Sequence, residues 1–438
     1  MHVQEFARRR RHLMELVGRN GIAVLPASPQ RTRSRDTLYS YRPDSDFFYL
    51  TGFDEPEAVA VLMPGRPQGE YVMFCRERDP LKELWDGHRV GPEGLVEQYG
   101  ADDAFPISDI EDILPGLIER SDRVYYSMGI SAEFDQRLLG WMQTLHARRQ
   151  RGHAPNELID LDHILHEMRL FKSRREISAM KRAARIAVSA HKRALRVCKP
   201  GIYEYELEAE FQHEFARNGA RCSYEPIVAS GENACVLHYT TNRAVLEDGD
   251  LVLIDAGCEY ELYASDITRT FPVNGQFSEA QREIYDIVCE ANRAAVEQVQ
   301  PGNHWNDPHD AAVKVITRGL RDLGILEGRL PSLIKAEAYR PFFMHKTGHW
   351  LGMDVHDVGD YKVADDWRML EPGMVTTIEP GIYIGPTAKG VAKRWRGIGI
   401  RLEDDVHVGR DGPEVLTADL PLAADDIEAL MEQGRGRD

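Results

Sequence analysis

The chain has 438 residues, 42% of them hydrophobic, with a formal net charge of -17. That is more chain than one ordinary domain needs and points to two, each with its own core. So acidic a composition argues against a nucleic-acid or anionic-membrane partner, which both require a basic surface, and no apolar run reaches the length of a membrane span.

In chain order, the first segment, MHVQEFARRRRHLMELVG, lacks the apolar core of a signal peptide. It reads as an amphipathic helix with Phe6, Leu13 and Val17 turned inward and Arg8 to Arg11 on its wet face. From residue 21 to about 150, the apolar runs GIAVLPAS, DFFYLTGF, AVAVLMP, EYVMFC and RVYYSMG alternate with helical stretches such as ISAEFDQRLLGWMQTLHARR. The pattern predicts an α/β domain with a mostly buried sheet, over residues 1–155. The polar stretch RRQRGHAPNEL then reads as the linker, and LDHILHEMRLFK as a helical connection, so that 156–172 joins the first domain to a second spanning 173–438.

The second domain carries an internal duplication. Ser173 with Glu176, and Ser278 with Gln281, have capping-box spacing at the head of long helical patterns, each of which stops at Pro-Gly. LEDGDLVLIDAG (246–257) and LEPGMVTTIEPG (370–381) then align without a gap, which places Asp255 on Glu379. Two related halves should therefore face each other across a pseudo-twofold axis, with those acids near the seam.

Aspartate is depleted in strands, and a buried unpaired carboxylate is costly. Yet Asp255, Asp266, Glu379 and Glu403 all interrupt apolar, strand-like lettering. Singly, each has a plain structural reading: Asp255 and Glu379 as turn acids, Asp266 as a cap or a partner of Arg269. Together with His349 they form a hard, oxygen-rich donor set, suited to manganese or magnesium rather than to a thiolate-type zinc site, and numerous enough for two divalent metal ions with shared carboxylates. HKTGHWLGMDVHD offers His345, His349 and His356; Lys346 occupies the place of the zincin glutamate, and Gly348 and Gly352 argue against a helix. His238, in ACVLHYTTN, is a further candidate, although a lone histidine is more often a core residue. Six cysteines, Cys75, Cys198, Cys222, Cys235, Cys258 and Cys289, form no C-x-x-C pair and read as inert thiols in a reducing cytoplasm.

The set YEPIVASGENACVLHYTTN, IDAG with SDITRTF, HKTGHWLGMDVHD, IEPGIY and GIRLEDD resembles the pita-bread metallopeptidases, and among them the aminopeptidase P (Xaa-Pro aminopeptidase) family. YRPDSDFFYLTGFDEPEAV and ELWDGHRVG resemble the N-terminal domain of that family, so the likeness covers the whole chain.

The resemblance implies an α/β N-terminal domain followed by a duplicated pita-bread catalytic domain. It implies two metal ions, Mn2+ foremost, held by Asp255, Asp266, His349, Glu379 and Glu403, with Asp266 and Glu403 bridging. It assigns His238, His345 and His356 to the substrate side, Arg401 to steadying the bridging acids and Tyr383 to a hydrogen-bonding role beside them. Lys346 stands where many relatives have glycine and is expected to alter only the pocket edge. The implied activity is release of the N-terminal residue from Xaa-Pro peptides, with metal-activated water attacking the bond and Glu379 shuttling the proton, in a homodimer or homotetramer. A prolidase, an inactive binding protein of the same fold and a metal-free amidinohydrolase are the rival readings.

Overall fold

The computed structural model describes residues 3–148 and 152–435, and the chain divides into two compact units, Met1–Met168 and Arg169–Asp438.

In the first unit, strands Gly21–Pro26, Val59–Leu62 and Tyr71–Cys75 are buried on both faces, which is why they read as unbroken apolar runs. They form the middle of a six-stranded mixed sheet whose outer strands are Asp103–Pro106 on one side and Arg123–Tyr125 and Glu157–Ile159 on the other. Helices Ile110–Ile118 and Ala132–Ala147 pack on it through Leu114, Leu138 and Trp141. Of the stretch read as a linker, Arg149 to Arg151 lie outside the described residues, and Glu157–Ile159 is the edge strand just named. The division between the units falls within helix Asp162–Leu170.

Two expectations fail here. DFFYLTGF is a helix, Ser45–Thr51, and not a strand: Asp44 caps it by accepting from the Phe47 N–H, and Gly52 closes it at φ 69°. Caps at both ends outweigh the β-propensity of Phe-Phe-Tyr. Nor are all four arginines of the first helix on a wet face, because Arg9 and Arg10 are only 1% and 5% exposed. Their guanidinium groups donate to Tyr49 O at 3.0 Å and Leu50 O at 2.9 Å, carbonyls at the end of the Ser45–Thr51 helix that lack partners along the helix.

In the second unit the duplication is visible as structure. Both capping boxes form, heading helices Arg174–Val197 and Glu279–Val296. Strand Leu251–Asp255 lies between Ile227–Ser230 and Thr268–Pro272. Its counterpart Val375–Ile378 lies between a bridge at Trp350 and strand Asp404–Gly409. Ile254 faces Arg269 in the first copy, and Ile378 faces Asp404 in the second. These equivalent partners meet each other: Arg269 Nη2 donates to Asp404 Oδ1 at 2.7 Å, with both side chains buried. The halves are therefore joined at matching register positions, and the acid-bearing strand ends lie beside that join. Glycine permits the close approach, since a Cβ on Gly257 would sit 1.7 Å from Ser265 O and one on Gly348 2.0 Å from Thr377 O.

Candidate active site

Asp255 ends its strand, and Asp266 stands just before the neighbouring strand, Thr268–Pro272. Glu379 follows strand Val375–Ile378, and Glu403 lies between Ile398–Arg401 and Asp404–Gly409. The histidine segment 345–356 is irregular, as its glycines suggested, but its backbone is fastened to the Glu379 strand. Thr377 N–H donates to His349 O at 3.0 Å and Glu379 N–H to Thr347 O at 2.7 Å.

These elements bring the sequence-selected residues around one cavity of about 250 Å³, lined by the four carboxylates, His238, His345, His349, His356, Lys346 and Arg401. Ligand atoms of Asp266, His349 and Glu403 all lie within 4.8 Å of one another. His349 Nε2 is 3.4 Å from Asp266 and 3.8 Å from Glu379, while its Nδ1 lies 2.9 Å from Trp350 O. Since a carbonyl can only accept, the neutral ring carries its proton on Nδ1 and aims the Nε2 lone pair at the carboxylates. The His356 ring stands 4.2 Å from that of His349.

Tyr383 is set behind the wall and does not line the cavity. Its hydroxyl accepts from Arg401 Nη1 at 3.1 Å and lies 2.9 Å from His345 Nε2. Arg401 also reaches Asp255 and the Thr268 hydroxyl, which in turn donates to Glu403 at 2.6 Å. Asp266 does not pair with Arg269, whose partner is Asp404. Lys346 stands at the edge, its ammonium 3.3 Å from Asn306 Oδ1 and over the Trp367 ring.

Burial dominates the electrostatics. It raises Asp255 against the pull of Arg401, drives Glu403 well above the carboxylate range beside Asp266 and Glu379, and brings Glu379 to about 7 despite His349 and Arg401. At Asp266 burial pushes upward too and is the largest single effect, but the hydrogen bond and charge of His349, with Tyr224 and Arg401, together outweigh it and hold this acid low. His349 is correspondingly lifted to about 9, its burial overcome by Asp266 and Glu379. Without cations the cavity can relieve its repulsion only by holding protons. The oxygen-rich set, the inward Nε2 lone pair and the surplus of buried negative charge all fit divalent metal ions.

The sequence reading missed Tyr224. Its hydroxyl lies 2.5 Å from both Asp255 Oδ1 and Asp266 Oδ1, and it lines an adjoining cavity of about 480 Å³ that shares both aspartates, His238 and His356. Nothing in its spacing marks it, because it reaches the acids from a loop 31 and 42 residues upstream.

A duplicated unit of helices and antiparallel strands, with carboxylates and an imidazole gathered at its seam, defines the class: a pita-bread metallopeptidase. The sequence profile described as metallopeptidase family M24 matches residues 178–410, and that of the aminopeptidase P N-terminal domain matches 6–125. The chain is 49% identical to the Xaa-Pro aminopeptidase of Escherichia coli, over 99% of this chain and 98% of that one. Among solved structures, aminopeptidase PepP of Pseudomonas aeruginosa superposes with a TM-score of 0.99 at 57% identity, covering 100% of this chain and 99% of that one. A glutamate-to-alanine variant of Escherichia coli aminopeptidase P in complex with substrate superposes with a TM-score of 0.97 at 48% identity, covering all of both chains. The chain belongs to metallopeptidase family M24, and to the members of it that carry the aminopeptidase P N-terminal domain.

Proposed function

We propose that this enzyme is a metal-dependent exopeptidase that releases the N-terminal residue from peptides with proline in second position. The observation that carries the reading is the complete set of four carboxylates and His349 around one cavity, in a chain 49% identical over nearly its full length to an Xaa-Pro aminopeptidase.

Asp255, Asp266, His349, Glu379 and Glu403 would hold two divalent ions; the hardness of these donors favours Mn2+. When bound, the ions supply Lewis acidity that polarises the scissile carbonyl and makes water a nucleophile near neutral pH.

The chain's own residues do the rest. Glu379, poised at about 7, takes the proton from the attacking water and returns it to the leaving proline nitrogen. His356 and His238, on the cavity wall, donate to the carbonyl oxygen and to the substrate backbone. His345, packed edge-on against Phe343 with ring centroids 5.1 Å apart, walls the proline ring. Arg401 fixes Asp255 and, through Thr268, Glu403, while Tyr383 fixes Arg401 and His345. Proline presents no N–H and a fixed φ, so a site that does not grip that N–H suits this bond.

Six free cysteines support a reducing, cytoplasmic setting. The short helix Pro80–Asp86, with Leu81, Leu84 and Trp85 all at least 75% exposed, supports a homodimer or homotetramer. Among the described residues no helix is long and apolar enough to cross a membrane.

The deciding experiment compares Mn2+-supported hydrolysis of an Xaa-Pro-Yaa tripeptide with that of an Xaa-Pro dipeptide. Tripeptide cleavage at the first bond is expected; strict dipeptide preference would make the enzyme a prolidase instead.

A further inference from the structure

The two capping-box helices each carry one buried polar side chain toward the acid-bearing strands. On Arg174–Val197 it is His191, fully buried and edge-on to Phe211, with Nε2 3.1 Å from the carbonyl of Ala256. Ala256 directly follows Asp255, and its own N–H donates to the carbonyl of Ile267, the residue after Asp266, at 3.0 Å. On Glu279–Val296 the side chain is Asn292, 1% exposed. Its Nδ2 donates to Ile378 O at 3.2 Å and Leu402 O at 3.3 Å, the residues directly before Glu379 and Glu403. His191 lies eighteen positions beyond Ser173, and Asn292 fourteen beyond Ser278. The difference is about one helical turn, so both project from the same face of equivalent helices.

We propose that His191 and Asn292 are matched positioning residues, each holding from behind the backbone beside the acids of its own half, His191 at Ala256 O next to Asp255 and Asn292 at Ile378 O and Leu402 O next to Glu379 and Glu403. The inference rests on the reading of those acids as metal ligands. An acceptor carbonyl requires the His191 proton on Nε2, which leaves Nδ1 bare; that atom is buried and has no hydrogen-bond partner among the described residues. Burial also pushes His191 down to about 3, so the ring is neutral and cannot act by charge. A core that needed only volume would be better served by an apolar ring than by one with an unsatisfied nitrogen. The side chain is explained by the bond that it donates, and through that bond by the placement of Asp255 and Asp266.

The test measures Mn2+ binding calorimetrically on the full chain, with thermal midpoints of the chelator-treated protein, for His191→Phe, Asn292→Leu and His191→Gln. Positioning residues predict a Kd for Mn2+ raised about tenfold in His191→Phe and Asn292→Leu. His191→Gln, which keeps a donor, should recover most of the loss. A Kd within twofold of the parent in a folded variant overturns the proposal, even where the metal-free midpoint falls, because a merely structural role moves only the latter. Equal Kd values for His191→Gln and His191→Phe also overturn it. Should one of the apolar variants not fold, the other decides by the same results, and if neither folds the residues are structural and the proposal falls. Failure of the parent protein to bind Mn2+ is a separate result, which strikes the metal reading itself.

Discussion

The two halves of the C-terminal unit follow one helix-and-strand plan, yet they present their acids differently. Asp255 and Glu379 are equivalent, each at the end of its copy of the strand. The second acids are not: Glu403 stands at the register position of Thr268, which it contacts, while Asp266 lies two residues earlier. The first half uses short aspartates tied together by Tyr224. The second uses longer glutamates and adds His349. The protonation does not follow the same division: Asp266 is held low, while burial raises Asp255 in the same half, brings Glu379 to about 7 and drives Glu403 well above the usual range. The duplicated frame thus carries one acid that keeps its charge, Asp266, beside three that burial drives toward holding protons.

The largest effect should come from removing the charge of the first half. Asp266→Asn is expected to lower kcat/KM on an Xaa-Pro-Yaa peptide by about 10³-fold or more, with loss of bound metal by elemental analysis. Glu379→Gln breaks the other side of the comparison. It should lower kcat by about 10²- to 10³-fold and leave tripeptide KM within a few-fold. A variant with full metal and full kcat would remove Glu379 from proton transfer.

The gathering of these acids, though not their difference, was legible in the sequence, for a physical reason: a carboxylate within strand-like apolar lettering is expensive, and four of them, two at equivalent places in a repeat, require a common explanation. Gly348 and Gly352 likewise argued against a helix, and the segment is irregular. What escaped were contacts with no local period. Tyr224 reaches the aspartates from a loop, and Arg269 meets Asp404 only because two distant strands share a register. Arg9 and Arg10 looked solvated because their partners, the end carbonyls of Ser45–Thr51, belong to a helix that the aromatic run DFFYLTGF disguised.

Metal removal sharpens the comparison through pH. In metal-free protein His349 titrates at about 9, above its unfolded value of about 6.5. Its stabilising contribution is therefore complete below pH 6.5 and is lost as pH rises through 9. A metal ion must displace that proton, so its affinity should climb up to about tenfold per pH unit across this window. At a metal concentration about 100 times Kd, binding stabilises by about 2.7 kcal/mol, and differential scanning calorimetry should show the loaded protein melting several degrees above the stripped one. The gap should widen from pH 6.5 to 9; a gap that narrows would place the proton elsewhere.

The smallest effects come from two tyrosines that lie one in each half. Tyr224→Phe takes the shared donor from two buried carboxylates, and in stripped protein that should cost about 1–3 kcal/mol of stability. Cations bound between those carboxylates satisfy them instead, so in loaded enzyme kcat/KM should fall only about two- to threefold. Tyr383→Phe differs because its partners, Arg401 Nη1 and His345 Nε2, are not carboxylates. His345 Nδ1 donates to Lys346 O at 2.7 Å, and burial holds the ring neutral, down to about 4, so its Nε2 accepts the tyrosine proton. No cation replaces that bond, and the loss should persist in loaded enzyme as a roughly fivefold to tenfold rise in KM for the tripeptide. Metal should thus mask the first substitution and not the second; equal masking of both would mean that the partners of the two tyrosines, carboxylates in one half and His345 with Arg401 in the other, do not set their roles.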